Sequence, residues 1–187
     1  MNKTKKLIFD ASIKSFSQKG FHKSTMDEIA DMAGVAKGTL YYHFKSKEDI
    51  FKFIIDEGVK RIEDEINEKT KNMLDPVNKL RAVCEIQMQL AINHLEFFKT
   101  MLSQLWGDEE RQHQLRNVLS RYFKLIEGFL KEAADDGLIA DDNLEIMAFN
   151  FFGVMTSTVV YSLIHKEKDI SQLTETLLGF VMRGIGR

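Results

Sequence analysis

TMDEIADMAGVAKGTLYYHFKSKEDIF, residues 25–51, decides how the rest of this chain is read. Thr25-Met26-Asp27-Glu28 has the form of a capping box, in which the Thr hydroxyl and the Glu carboxylate each satisfy an orphan backbone amide. Met26, Ile29, Ala30 and Ala33 then recur at helical spacing, and small Ala30 and Ala33 let a crossing helix approach closely. Gly34 stops this helix, Val35 plugs the turn, and a second short helix is predicted over about Lys37–Phe44. Leu40 and Phe44, four apart, pack inward, which turns Thr39, Tyr41, Tyr42 and His43 to the open side or its edges. Two short helices joined this way, over about residues 26–45, have the layout of a helix-turn-helix. In that motif one helix steadies a second in the major groove of DNA.

Outward from this stretch the pattern stays helical. A first helix is predicted over about Lys3–Lys19, with Ile8, Ala11 and Phe16 inward and a left-handed cap at Gly20. Ser46 and Asp49 open a long fourth helix to about Met73, and Asp75-Pro76 starts a fifth to about Asn93. Further helices are expected over 94–106, from 108 to about 134, from a cap at Asp142 and Glu145 to Ile164, and from Ser171 onward. Only one proline, Pro76, interrupts, and no segment alternates cleanly enough for a strand. The fold class is all-α, with about nine helices: a small domain at 1–47 and a larger helical body at 48–187.

The 187 residues are 44% apolar and 29% charged, which suits a soluble globular chain with a real core. The net charge of −2 is uneven: residues 1–52 carry +4 and the remainder −6. A basic head on an acidic body places a phosphate-seeking field at one end. A single cysteine, Cys84, allows no intrachain disulfide and fits a reducing cytoplasm. It also rules out a thiol-rich metal cage, and the five histidines lack ligand spacing, so no metal or other cofactor is expected. The apolar run near the N-terminus ends at Asp10, too soon for a signal peptide. Ile146–Ile164 is uncharged and nearly long enough to span a bilayer, but Asn150, Thr156, Ser157, Thr158, Tyr161 and Ser162 make it too polar for a lone lipid-facing helix. No membrane partner is expected. Nor is an enzyme: there is no nucleophile–base–acid set and no phosphate-cradling glycine loop.

IFDASIKSFSQKGF (residues 8–21) and IADMAGVAKGTLYYHFKSKEDIF (residues 29–51) resemble the DNA-binding domain of TetR-type (tetracycline-repressor-like) transcriptional regulators. The likeness covers about residues 5–55. Ser12 and Ser15 depart from it, standing where that family often has larger apolar groups. By this resemblance Thr25 meets a phosphate at the start of the second helix, and Lys37, Gly38 and Thr39 open the recognition helix toward base edges. Lys37 is expected at guanine O6/N7. Tyr41 and Tyr42 meet sugar-phosphate or thymine methyls, and His43 and Lys47 clamp phosphates. Thr25 is read equally well as a helix cap alone; for His43 a plain surface position is the lesser alternative, and the tyrosines could wall the small core, although adjacent helix positions turn at least one of them to solvent or DNA.

The resemblance further implies a homodimer on a pseudo-palindromic operator in double-stranded DNA, and a small-molecule cavity in the body. For the dimer, one side of the eighth helix carries Asn150, Gly153, Ser157, Val160, Tyr161 and Ile164, and the ninth carries Leu173, Leu177, Phe180 and Gly184. For the cavity, the large or flexible candidates are Met88, His94, Phe98, Met101, Leu105, Trp106, Tyr122, Phe129, Phe152, Met155 and Thr156. With no cluster of buried cations in sight, the effector is expected to be hydrophobic or amphipathic. Gly58, inside the long fourth helix, marks either a bend or a close contact. The expected function is a cytoplasmic, ligand-responsive regulator, a repressor released by its effector. The alternative is a DNA-binding structural or partner-recruiting protein of the same fold without an effector.

Overall fold

The computed structural model describes residues 1–103, 109–166 and 169–185, without the side chains of residues 109–114 and 185. Among the described residues the elements are α1 (Lys3–Lys19), α2 (Met26–Ala33), α3 (Lys37–His43), α4 (Lys47–Thr70), α5 (Pro76–Asn93), α6 (Leu95–Ser103), α7 (Glu109–Asp135), α8 (Leu144–His165) and α9 (Ile170–Ile185). They form two compact units. The first comprises Met1–Val59 with His94–Val118, the second Lys60–Asn93 with Leu119–Arg187. Each is discontinuous in sequence, so α4 and α7 contribute residues to both.

In the first unit α1 is capped by the Asn2 side chain, which accepts from the Lys5 amide at 2.8 Å. Its buried stripe holds Ile8, Phe9, Ala11, Ser12, Ser15 and Phe16. The two serines explain themselves differently. Ser15 donates to Ser24 Oγ at 2.8 Å, and Ser24 donates to the Gly20 carbonyl at 3.0 Å, so a small polar pair ties α1 to the turn before α2. Ser12 Oγ is buried without a hydrogen-bond partner, and nothing in the structure explains it. Gly20 ends α1 at φ 80°, ψ 158°, a positive-φ conformation but not the expected left-handed helical one.

Aromatic rings fill the space between these helices. Phe16, Phe21 and Phe51 meet with centroids 5.2 to 6.4 Å apart. Phe53 meets Phe9 at 6.1 Å and Phe44 at 5.1 Å. Gly58 makes a close contact: a Cβ built there would lie 2.1 Å from the ring of Phe97 on α6. Phe97 also stacks on Phe9 of α1 at 6.5 Å, which holds α6 against the first unit's core.

In the second unit α5 packs on both α8 and α9. α5 buries Leu80, Val83, Cys84 and Met88, and α8 buries a stripe made by Ala148, Phe151, Met155, Val159 and Ser162. Arg81 fastens α5 to Glu175 of α9 at 2.7 Å. From α7, Tyr122 and Phe123 contact Phe152, and Phe123 stacks on Phe149 at 3.9 Å. By length and composition α8 could cross a membrane. Its pattern is nevertheless one-sided: one stripe is buried here, while Ile146, Phe149, Val160, Tyr161 and Ile164 stand exposed.

Several sequence expectations shift at element ends. α4 stops at Thr70, whose hydroxyl turns back to the Ile66 carbonyl, instead of running to about Met73. Asn143, not Asp142, caps α8 by accepting from the Ile146 amide. Asp169 starts α9, before Ser171, by accepting from the Gln172 amide. On α9, Leu173 and Leu177 are 7% and 2% exposed, so they belong to the unit's own core with Thr174, Leu178 and Val181. Phe180, just past the edge of that buried arc, is 60% exposed. The expected stripe of Leu173, Leu177, Phe180 and Gly184 therefore spans two faces of α9.

Candidate DNA interface and effector region

The capping box predicted at Thr25 is present. Thr25 Oγ1 accepts from the Glu28 amide at 3.2 Å, and Glu28 Oε2 accepts from the Thr25 amide at 3.3 Å. Lys19 Nζ binds the other Glu28 oxygen at 2.8 Å. Chiefly for that reason, with help from the Thr25 amide, the Glu28 carboxyl is held below the usual carboxylate range. Thr25 is exposed, and its hydroxyl proton remains a donor after the cap is made.

Gly34 takes the left-handed conformation (φ 65°, ψ 32°) that a side chain would strain. Its N–H donates to Asp31 O, and Val35 N–H donates to Ala30 O, which sets the direction of α3. Leu40 is fully buried and Phe44 is 6% exposed, so these two anchor α3 from below. The face opposite carries Lys37, Gly38, Tyr41 and Tyr42, all exposed. Thr39 and His43 are half-buried along its edges. Tyr42 is 79% exposed and Tyr41 44%, so neither phenol serves as core wall. A Cβ added at Gly38 would meet nothing within 4 Å. Its lack of a side chain therefore serves no internal contact and keeps the outer surface low, where a partner backbone could approach.

The cations here are less free than the sequence suggests. Lys37 Nζ lies 2.5 Å from Asp27 Oδ2, and this pairing raises its pKa. Lys47 Nζ donates to the carbonyls of Phe21 and His22 at 3.0 and 3.1 Å and sits 4.9 Å from the Phe21 ring centroid. Two of its three donors thus fasten the turn after α1, leaving one for a phosphate. Two basic groups at the end of α3 were not picked out by sequence. Lys45 Nζ donates to the Tyr41 carbonyl at 3.0 Å, and Lys5 Nζ lies 5.6 Å from the Phe53 ring and 6.0 Å from Phe44. Lys45 could have been found as a cation completing a helix C-terminus. Lys5 required the fold, because α1 and α4 come together only in three dimensions.

The effector-region candidates divide between the units. Met88, Tyr122, Phe129 and Met155 are buried in the second, with Phe152 and Thr156 partly so. In the first, Met101 is buried and Phe98 partly buried. His94 does not line an interior: it is exposed, and its carbonyl accepts the first bond of α6 from the Phe98 amide. Leu105 and Trp106 lie outside the described residues. Of the dimer candidates, Asn150, Gly153, Ser157, Val160, Tyr161, Ile164, Phe180 and Gly184 are exposed. No group of three or more His, Cys, Asp or Glu with the geometry of a metal site occurs among the described residues.

An exposed short helix bearing amide, hydroxyl, phenol and ammonium groups, set by a glycine turn on a capped helix, has the layout of a DNA-binding helix-turn-helix. Two family models match the chain, "Bacterial regulatory proteins, tetR family" over residues 8–54 and "Tetracyclin repressor-like, C-terminal domain" over residues 73–160. The chain belongs to the TetR family of transcriptional regulators, ligand-responsive proteins that bind DNA. It is 29% identical over 185 residues to the fatty acid metabolism regulator protein of Bacillus subtilis (strain 168), spanning 95% of this chain and 93% of that one. A solved Clostridium perfringens protein, described as a candidate fatty acid metabolism regulator, is 37% identical with TM-score 0.87, covering 97% of this chain and 99% of its own. The Bacillus subtilis regulator FadR, solved in complex with stearoyl-CoA, is 26% identical with TM-score 0.87, covering 96% and 98%.

Proposed function

We propose that this protein is a cytoplasmic, homodimeric repressor of fatty-acid metabolism that leaves its operator on binding a long-chain acyl-CoA. The single observation carrying the effector class is the likeness, along nearly the whole chain, to a regulator solved with stearoyl-CoA. A large apolar interior with no fully buried cation among the described residues supports an acyl chain over a small anion. Residues 1–47 read DNA, and residues 48–187 bind the effector and pair the subunits.

In this reading Lys37 exchanges Asp27 for guanine O6/N7, while Gly38 and Thr39 let the start of α3 approach the base edges. Tyr41 and Tyr42 cover sugar-phosphate or thymine methyls, and Thr25, His43 and the remaining Lys47 donor hold phosphates. The exposed apolar side of α8, with Phe180 of α9, pairs with its copy. Acyl-CoA must bind the DNA-incompetent state more tightly than the competent one, since a ligand of equal affinity shifts nothing.

The test is titration of stearoyl-CoA into the complex of the protein with a selected duplex, followed by fluorescence anisotropy. Release at micromolar ligand is expected. Unchanged affinity at saturating stearoyl-CoA and at shorter acyl-CoAs would leave a DNA-binding protein of this fold without such an effector.

A further inference from the structure

Within the second unit, polar groups from different helices lie in a largely apolar interior. Tyr122 of α7 is 2% exposed, and its hydroxyl has no hydrogen-bond partner. The Gln87 side chain of α5 lies near enough to influence it, but no bond of ordinary geometry joins the two. On α8, Thr156 Oγ1 is likewise buried and unpartnered. Thr156 sits one turn beyond Phe152, whose ring meets the Tyr122 ring at 6.0 Å, so the α8 face carrying Phe152 and Thr156 is turned toward α7. Roughly nine in ten buried polar groups in folded proteins are paired. Two buried hydroxyls on facing helices that no protein group satisfies are two hydrogen-bonding groups available to a ligand.

The chemistry of that partner follows from what surrounds them. Among the described residues no Lys, Arg or His is fully buried, and the most covered cation, Lys79, is already paired with Glu132, so a carboxylate would find no unpaired counter-charge among them. Burial pushes the Tyr122 phenol well above its ordinary pKa, which keeps it a neutral donor. A neutral donor in a low-dielectric site suits a neutral acceptor.

We infer that Tyr122, with Gln87 and Thr156, is the polar anchor of the effector site and takes a neutral oxygen carried by the acyl ligand. That oxygen is either the thioester carbonyl or a hydroxyl on the chain. This rests on the acyl-CoA reading above and narrows it: a free fatty acid should bind more weakly than its acyl-CoA, and a chain offering no oxygen at that depth is penalised.

The experiment measures binding of four probes to the full-length protein: stearoyl-CoA, its thioether analogue octadecyl-CoA, a hydroxystearoyl-CoA and stearic acid. The variants are Tyr122→Phe and Thr156→Val, both close in shape to the original residue. The wild type should favour an oxygen-bearing probe over octadecyl-CoA by roughly five- to tenfold. Preference for stearoyl-CoA assigns the carbonyl, and preference confined to hydroxystearoyl-CoA assigns the chain hydroxyl. Tyr122→Phe should erase that preference without lowering the unfolding temperature, since it removes only an unmet hydroxyl. Equal selectivity in Tyr122→Phe and wild type, or stearic acid binding as tightly as stearoyl-CoA, overturns the anchor while leaving acyl-CoA as effector. Failure of the wild type to bind any of the acyl-CoA probes overturns both.

Discussion

Lys37 carries the sharpest residue-level consequence. In the free protein its ammonium rests on Asp27, with both groups more than half exposed to water, so exchanging that partner for a base costs little. Lys37→Met should relax preference at one base pair by about 1–3 kcal/mol, read by competition among single-substitution duplexes. Uniform weakening at every site would mean a phosphate contact instead. Glu28 gives a pH-dependent test. Its folded-state pKa lies below the unfolded one, so its stabilisation is full above the ordinary carboxylate range and disappears as pH falls through the folded value. Glu28→Gln should therefore flatten the acid limb of the stability curve from about pH 5 downward and change nothing in its shape at pH 7 to 8. Denaturant midpoints across pH would show it. Thr25, Glu28 and Gly34 were legible because capping boxes and left-handed turns are local chemistry. Asp27 as partner to Lys37, and Lys47 as a fastener of the α1 turn, were not, since both bonds cross between elements.

Among the helices, legibility followed the same division. The inward pair Leu40 and Phe44 could be read from a spacing of four, and the burial of both confirms it. On α9 the same kind of reading failed, because Leu173 and Leu177 sit near one edge of a buried arc and Phe180 just beyond it. Seven-residue spacing brings such positions together on paper, while the neighbouring α5 and α8 determine which are covered. Gly58 was ambiguous until α6 was in place, because the ring that needs the space is Phe97, far along the chain. Gly58→Ala gains about 1 kcal/mol of helix propensity but must displace that ring, at a cost of about 1–3 kcal/mol. Net destabilisation is expected in thermal unfolding. Pairing it with Phe97→Leu should recover more stability than the two single changes predict by addition. A stabilised Gly58→Ala single variant would show that the ring moves freely.

For the molecule as a whole, the basic head and acidic body already pointed to one end as the DNA reader, and the family match places the chain among regulators. What composition could not reveal is which apolar groups remain uncovered in one chain. Ile164, Phe180 and Tyr161 are 69%, 60% and 52% exposed, on helices otherwise well packed. If that surface pairs subunits, Ile164→Glu combined with Phe180→Glu should yield a folded monomer in sedimentation equilibrium and a large loss of operator affinity. A persistent dimer would place the contact elsewhere. The acyl-binding reading could not come from sequence pattern, since the same Met and aromatic residues serve a plain core equally well.

Reading of DNA by α3 within a symmetric pair is tested most directly by selecting bound duplexes from a randomised pool with the wild-type protein and, in parallel, with Lys37→Met. Two inverted half-sites should emerge from the wild type, their centres one or more helical turns apart, about 10–10.5 base pairs per turn. The variant should lose information at a symmetric pair of positions only. A pool without inverted symmetry, or with the same base preferences for both proteins, would contradict it.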